Sequence, residues 1–279
     1  MKQEFDRLIS LGWQLPPQND EGLYFYEVID ENLISFPSSS YDAEAVNGEA
    51  SGFWAIERAN AIARILKPFN VKILWEIGAG NGNVAIPLKD MGIQVIPVEP
   101  LHSGATTLAQ NGFPTFLATL ESLNLPENSI DAVGTFDVLE HLEFPEELLQ
   151  EINRILKVGG IFICSVPSYQ WLFSDFDVSI GHFRRYSRKS LKKLIHSSHF
   201  SVSYIHSLFG FLVLPAFLLR RIPFLLGRKR NFVTVHKSNG SRFRLLSKFH
   251  IVFKYMVKLE KSLKIRFGLS LIAISKKVY

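Results

Sequence analysis

Hydrophobic positions follow two different periods along residues 53–206. From Phe53 to Leu66 they recur on one helical face, whereas Ile130–Phe136 and Ile161–Val166 are short apolar runs typical of buried strands. The pattern predicts further strands at Val71–Ile77 and Gln94–Val98, and helices at Asn83–Met91 and Pro145–Leu156, the last ended by Gly159 and Gly160. This alternation predicts an α/β fold with a doubly wound parallel sheet and helices on both faces.

The residues on either side of this region have a different sequence pattern. Prolines and the Ser38–Ser40 run predict loops over residues 1–50. After residue 180 we expect a helix at Ser187–His196 capped by Ser187, a strand at Ser201–His206 and a last strand at Leu269–Ser275. The predicted organisation is therefore an N-terminal extension, residues 1–52, and one domain, residues 53–279, with a basic and apolar helical insertion at about 208–267.

Composition narrows the class of protein. The chain has 279 residues and is 47% hydrophobic, which suffices for a packed core, and its single cysteine excludes a disulfide scaffold and a cysteine-only zinc site. Glu4 and Asp6 stand where a signal peptide needs an apolar segment. We therefore expect a cytoplasmic protein.

Charge is distributed unevenly along the chain. The formal net charge is only +5, but residues 181–279 carry 22 of the 31 Lys and Arg residues and one acid, Glu260, which gives +21. Residues 1–180 carry the other 9 bases and 25 acids, which gives −16. The asymmetry predicts an acidic body and a basic part that faces an anionic substrate or membrane surface. The sequence has no zinc-finger spacing or RNA-binding signature, so nucleic acid is not the expected partner.

A glycine-rich turn follows the first predicted strand. The strand leads into Gly78, Gly80 and Gly82, and a helix follows at once, so a ligand can approach the backbone beside a helix N-terminus. Glu99 ends the next strand, where a carboxylate can accept hydrogen bonds from a ribose diol. The third glycine comes one residue earlier than in the dinucleotide fingerprint G-x-G-x-x-G, which weakens an interpretation as an NAD site.

These residues resemble the class I S-adenosylmethionine-dependent methyltransferases. The segment from Glu76 to Gly82 is similar to their E/D-x-G-x-G-x-G motif, and Glu99 falls on their ribose-binding acid. Ile130 to His141 resembles their fourth-strand segment, and Leu156 to Gly160 resembles the turn before their fifth strand. The resemblance implies a Rossmann-like sheet of seven strands with the last antiparallel, S-adenosyl-L-methionine as the cofactor, and methyl transfer as the reaction.

The resemblance also implies which residues hold the cofactor. Glu76 is expected near its amino-acid end, Glu99 at the ribose, and Leu120 with Glu121 near the adenine. The full set of expected cofactor-binding residues is Glu76, Gly78, Ala79, Gly80, Gly82, Glu99, Pro100, Leu120, Glu121, Phe136 and Asp137.

Asp137, Glu140 and His141 form a D-x-x-E-H cluster after a predicted strand. The spacing resembles that of the quinone-pathway O-methyltransferases, some of which use such a cluster with a metal. The same residues equally suit helix capping and contact with the cofactor, because three ligands on one short segment do not reliably converge. We therefore expect no metal, and keep this cluster as the alternative.

The segment from Gly181 to Ser187 is the other candidate for chemistry. His182 is a candidate catalytic base, and His141 and Tyr186 are further candidates for facing the acceptor. Arg184 and Arg185 are candidate substrate-binding residues, since a guanidinium can hold a phosphate or carboxylate through two hydrogen bonds. The alternative is a structural loop in which the arginines contact the acidic body.

The insertion contains two apolar patterns. Leu208–Leu219 is unbroken but too short to span a bilayer. Between Leu245 and Leu263, apolar residues share one helical face while Lys and Arg occupy the other. Such a basic amphipathic helix suits an anionic membrane surface, although any surface helix packed on a sheet has an apolar stripe. Peripheral attachment to the inner face of the membrane is one expectation.

Together these features predict an S-adenosylmethionine-dependent methyltransferase that acts on a small-molecule, glycan or lipid-linked acceptor, with oxygen as the expected acceptor atom. Two alternatives remain: an NAD-type oxidoreductase built on the same sheet, and a non-catalytic membrane-associated module that keeps the cofactor pocket. The glycine spacing and the lack of a Tyr-x-x-x-Lys pair weigh against the oxidoreductase.

Overall fold

The computed structural model describes residues 1–26, 34, 36, 53–227, 255–260 and 266–279. Its strands are β1 (Ile73–Ile77), β2 (Gln94–Val98), β3 (Ile130–Phe136), β4 (Leu156–Pro167), β5 (Phe200–Leu208) and β6 (Ser270–Lys277). They form one sheet in the order β2-β1-β3-β4-β6-β5. The first four run parallel, and β6 runs antiparallel to both β4 and β5.

The described residues contain six strands, whereas the resemblance implies seven. The antiparallel last strand is confirmed. Beside β2, Phe116 makes two single bridges, one with Val98 and one with Tyr24. Pro114 has no N–H to donate, which limits backbone pairing before Phe116. The edge position beside β2 is therefore occupied by a short bridged segment instead of a strand.

The helices are α1 (Lys2–Ser10), α2 (Phe53–Leu66), α3 (Ala85–Asp90), α4 (His102–Gln110), α5 (Pro145–Ile155), α6 (Asp175–Ser179) and α7 (Arg188–Ser197). The sequence pattern placed α2, α3, α5 and α7 correctly, and Ser187 caps α7 by accepting a hydrogen bond from the backbone N–H of Ser190. Gly159 and Gly160 do not end α5. They lie inside β4, where the positive φ of Gly159 accompanies a register shift between β3 and β4.

The expectation of loops over residues 1–50 is wrong for the first ten residues. Apolar side chains of α1 and the turn after it pack onto the sheet, and Phe5, Leu8 and Trp13 are buried with Trp75 of β1. The indole N–H of Trp13 donates to the carbonyl of Leu123 at 2.8 Å. The first residues of the extension therefore contribute to the core of the domain.

Part of the expected insertion lies within the described residues. Val213–Ala216 (α8), a π-helical turn at Phe217–Arg221 and Ile222–Leu225 (α9) follow one another without a break after β5. Most of the amphipathic pattern between Leu245 and Leu263 lies outside the described residues. In the part of the chain that is described, no helix is long and apolar enough to cross a membrane.

The strand order reverses at β1, which lies between β2 and β3. In an open α/β sheet this reversal leaves a crevice at the carboxyl ends of the strands, because the helices that follow the central strands lie on opposite faces. The ends of β1, β2 and β3 carry Glu76, Glu99 and Asp137, so the fold brings these three predicted residues to one edge.

Candidate functional site

The glycine turn after β1 is tied directly to the end of β2. The backbone N–H of Gly78 donates to the carbonyl of Val98 at 2.8 Å, and that of Gly80 donates to Oε2 of Glu99 at 2.7 Å. The other carboxylate oxygen of Glu99 accepts from the N–H of Leu101 at 2.9 Å. A carboxylate offers about four acceptor sites, so these two bonds orient Glu99 without using up its capacity to bind hydroxyl groups.

The turn leaves no room for side chains at two of its glycines. Gly78 has φ +70°, and a Cβ there would lie 2.6 Å from Cγ2 of Val138. Gly82 has φ +81°, and a Cβ there would lie 2.9 Å from Cδ2 of Leu108 in α4. A close backbone surface of this kind fits the approach of an extended ligand such as S-adenosylmethionine.

Glu76 is the buried acid at the floor of this turn. It is 1% exposed, and among the described residues its Oε2 has no hydrogen-bond partner. Burial raises the pKa of Glu76 to about 8; Arg58 acts in the opposite direction, while Glu99 raises it further. A buried acceptor without a partner is costly, and a ligand donor such as an ammonium group would satisfy it. Glu76 therefore fits the amino-acid end of the cofactor.

Arg58 is a residue of the site that the sequence analysis missed. It lies in α2 and forms an ion pair with Oδ2 of Asp137, whose Oδ1 accepts from the hydroxyl of Ser165 at 2.9 Å. Arg58 also acts electrostatically on Glu76 and Glu140. Its only sequence signal is a charged position in the helix that precedes β1, and such a position is usually solvated.

The expected adenine side is built by the bridged segment. Ala118 donates its N–H to the carbonyl of Glu99, the residue before Pro100, at 3.3 Å. The chain then continues into the 3₁₀ turn that begins at Glu121. Leu120 is 1% exposed and Glu121 is exposed. The segment thus lies next to Glu99, the acid expected at the ribose, and the side chain of Glu121 lies on the surface.

A second group of polar residues lies beside the end of β3. Glu140 and His141 belong to a 3₁₀ turn at Leu139–His141, and His182 reaches it from the loop after α6. The centroids of the two imidazole rings lie 4.6 Å apart, and Nε2 of His182 lies 3.8 Å from Oε1 of Glu140. Burial, followed by the neighbouring His182, lowers the pKa of His141 to about 3, so this ring is neutral near pH 7.

Asp177 orients His182. Its Oδ1 lies 2.9 Å from Nδ1 of the imidazole and 2.7 Å from Nε of Arg185. Burial acts to raise the pKa of Asp177, but the hydrogen bonds and charges of His182 and Arg185 outweigh it and hold the pKa below its usual value. An ionised Asp177 favours the tautomer with the proton on Nδ1, which leaves Nε2 as the proton acceptor. The sequence analysis missed Asp177, although Ser174 and Asp177 have the spacing of a capping box, which they form in the structure.

The arginines of the loop make structural contacts. Arg184 donates to the backbone carbonyl of Glu143 at 2.7 Å, and Arg185 is paired with Asp177. Tyr186 is 4% exposed and donates its hydroxyl to the carbonyl of Leu139 at 3.0 Å, which supports the turn that carries Glu140 and His141. These three side chains therefore hold the loop around His182 in place.

The residues able to meet at a metal differ from the predicted D-x-x-E-H set. One ligand atom each from Glu140, His141 and His182 lies within 4.8 Å of the other two. Asp137 is instead held by Arg58 and Ser165. Glu140 is fully buried, and burial raises its pKa to about 8, so its carboxyl group is largely neutral near pH 7.

The region that carries this site resembles known methyltransferases in sequence. A methyltransferase-domain family model matches residues 75–164, which contain the glycine turn, Glu99 and the Glu140–His141 turn. An uncharacterised methyltransferase of Mycobacterium leprae (strain TN) is 25% identical over 132 residues, covering 46% of this chain and 49% of that protein. Another from Mycobacterium tuberculosis (strain ATCC 25618 / H37Rv) is 28% identical over 148 residues, covering 47% and 58%. The chain thus spans about half the length of the curated relatives that it matches.

A solved structure extends the likeness over most of the chain. An S-adenosylmethionine-dependent methyltransferase from Thermotoga maritima, a possible histamine N-methyltransferase, aligns with a TM-score of 0.54 and 19% identity over 86% of this chain and 100% of that chain. At this identity the likeness shows the fold alone. The family match, the relatives and the fold confirm the resemblance to class I methyltransferases, and they support S-adenosylmethionine as the cofactor.

Proposed function

We propose that this chain is an S-adenosylmethionine-dependent methyltransferase that methylates an oxygen atom of a small-molecule, glycan or lipid-linked acceptor. One observation carries the proposal: the hydrogen bond between Gly80 and Glu99, which joins the ends of β1 and β2 inside the region that the methyltransferase-domain model matches. Because the likeness covers only 49% and 58% of the two relatives, the activity of the whole protein rests on this proposal.

The cofactor side of the site provides binding and orientation. Glu76 would accept from the ammonium group, Glu99 would hold the ribose hydroxyls, and the backbone at Gly78 and Gly80 would lie along the ligand between them. When bound, the cofactor supplies an electrophilic methyl group on a sulfonium. The contribution of the protein is then alignment of the acceptor and exclusion of water.

The acceptor side provides a proton acceptor. His182 is 8% exposed in its side chain, and Asp177 fixes its Nδ1 proton, so Nε2 is available to take the proton of an acceptor hydroxyl. The neighbouring His141 is neutral and adds no positive charge that would compete with a protonated His182. A base of this kind suits a hydroxyl acceptor, because the oxygen loses its proton when it takes the methyl group.

Calorimetry with S-adenosylmethionine, S-adenosylhomocysteine and NAD tests the cofactor assignment. We expect both sulfur compounds to bind and NAD to give no heat, because the glycine turn lacks the dinucleotide spacing. Binding of NAD alone would establish the oxidoreductase alternative. Cofactor binding without methyl transfer to any oxygen, nitrogen or carbon acceptor would favour the non-catalytic module.

The helical segment after β5 favours a membrane-bound acceptor. Leu214, Leu218 and Leu225 expose 64%, 49% and 62% of their surface, and Trp171 beside them exposes 49%. Together with the +21 charge of residues 181–279 this supports peripheral attachment to an anionic surface. Co-sedimentation with anionic and with neutral vesicles tests it, and equal binding to both would contradict the electrostatic part.

A further inference from the structure

Arg220 offers the acceptor site a positive charge beyond those of the two predicted arginines. We infer that Arg220 binds an oxyanion group of the acceptor, a phosphoryl or carboxylate group, beside the loop that carries His182. The inference rests on the proposed methyltransferase function and adds to it a chemical class of substrate.

The arginines that the sequence singled out are already engaged. Arg184 donates to the carbonyl of Glu143, and Arg185 donates to Asp177 at 2.7 Å and to the carbonyl of Ser168 at 3.4 Å. The charge of Arg185 is balanced by that of Asp177, which also bonds to His182. An anionic substrate that competed for these hydrogen bonds would disturb the loop that holds His182.

Arg220 is held in position by its neighbours. Its guanidinium carbon lies 4.2 Å from the ring centroid of Phe176 in α6, and the next residue, Arg221, donates to the carbonyl of Phe173 at 2.6 Å. Both arginines end the π-helical turn Phe217–Arg221, a rare conformation that recurs at functional sites. The stacked ring covers one face of the guanidinium group, and its N–H edge remains suited to an oxyanion.

Among the described residues, no carboxylate forms an ion pair with Arg220, although Asp177 and Asp175 act on it electrostatically. Burial, and then the charge of Arg185, lowers the pKa of Arg220. A partly buried cation without a counterion is costly, and a bound anion removes that cost.

The position of Arg220 relates it to the acceptor and separates it from the cofactor. The Phe176 ring on which it stacks is next to Asp177, the residue that orients His182. The cofactor residues lie at the ends of β1, β2 and β3, whereas Arg220 contacts the segment that follows β4. An anion on Arg220 would therefore belong to the molecule that approaches His182.

The test compares wild type with Arg220→Gln and Arg220→Lys, using inorganic phosphate as the probe and sodium chloride at the same ionic strength as reference. Thermal unfolding gives the phosphate affinity. We expect Arg220→Gln to bind phosphate about tenfold more weakly, since hydrogen bonds to charged groups contribute that much. Arg220→Lys, which keeps the charge and guards against a folding defect, should lie between. Arg64→Gln, an exposed change in α2, is the matched control and should behave as wild type.

Two further measurements make the outcome specific. Equal phosphate affinity in wild type and Arg220→Gln would overturn the inference. S-adenosylhomocysteine should bind to the variants as it binds to the wild type. If the wild type does not bind S-adenosylhomocysteine, the proposed function is overturned, while the phosphate result is unaffected. Vesicles containing phosphatidic acid, compared with free phosphate, separate a lipid headgroup from a small-molecule phosphate as the source of the anion.

Discussion

Asp177 and His182 form a buried pair in which Oδ1 of the carboxylate lies 2.9 Å from Nδ1 of the imidazole. The same oxygen accepts from Arg185, so the carboxylate cannot rotate away without breaking two charge-assisted bonds. The pair gives His182 a fixed orientation and leaves its Nε2 toward Glu140 and His141.

Asp177→Asn tests this arrangement. We expect methyl transfer to fall by about 100-fold while the affinity for S-adenosylhomocysteine is unchanged, since a general base contributes at least that much and Asn can present a donor to Nδ1. Single-turnover rates over a range of pH are the measurement. Asp131→Asn, which removes an exposed ion pair with Lys157, is the control. An unchanged rate in Asp177→Asn would exclude His182 as the base.

Glu99→Gln tests the ribose assignment. The change keeps the size of the side chain but removes the charge that accepts from Gly80 and Leu101. We expect the affinity for S-adenosylhomocysteine to fall by roughly 10- to 100-fold, the range for hydrogen bonds to a charged group. Calorimetry of Glu121→Gln provides the comparison: because this side chain is exposed, its loss of affinity should be the smaller of the two. A larger loss of affinity in Glu121→Gln than in Glu99→Gln would indicate that the cofactor lies nearer the 3₁₀ turn.

Gly78→Ala tests the close backbone approach in the turn. The new Cβ would lie 2.6 Å from Cγ2 of Val138 and would also strain a residue at φ +70°. Gly92→Ala is a matched control, because Gly92 has φ +84° but nothing within 4 Å of a Cβ. Both variants should lose about 1 kcal/mol of stability from the backbone, measured by urea unfolding. Only Gly78→Ala should also lose cofactor binding.

The positions of the expected cofactor-binding residues in the fold could be predicted from the sequence because they depend on backbone conformation. The glycine turn, Glu99 and Asp137 follow strand ends, and strand ends are readable from apolar runs of five to seven residues. The rest of the candidate site depends on side chains brought together over long distances in the chain. Arg58 meets Asp137, and Arg220 meets Phe176, from helices whose charged residues have no distinguishing pattern.

The same reason explains the errors in the fold. The long β4 crosses two glycines that usually end elements. It pairs with β3 on both sides of them and with β6 from Ile161 onward, and the local sequence does not encode these partners. The packing of Phe5 and Trp13 onto Trp75 likewise depends on partners far along the chain. Local patterns therefore predicted where elements occur better than where they end.

Glu140→Gln tests the pH dependence of stability in the protein without cofactor. Burial raises the pKa of Glu140 from 4.5 to about 8, so the folded state holds this proton more tightly than the unfolded state. Stability from this group is complete below about pH 4.5 and is lost as the pH rises to about 8, by on the order of 1 kcal/mol per pH unit. In urea unfolding, Glu140→Gln should show a smaller loss between pH 5 and 8, roughly, than the exposed control Glu146→Gln. Parallel curves would show that Glu140 is ionised in the folded protein.

Metal dependence is the remaining question about Glu140, His141 and His182, whose ligand atoms lie within 4.8 Å of one another. Two guanidinium groups, those of Arg58 and Arg185, act on Glu140 and oppose the entry of a further cation. Methyl transfer also needs no Lewis acid, because its leaving group is neutral. We therefore expect Mg²⁺, Mn²⁺ and Zn²⁺ to leave both thermal unfolding and methyl transfer unchanged. Stabilisation by one of these ions in wild type but not in His182→Ala would contradict this and would identify the three residues as its ligands.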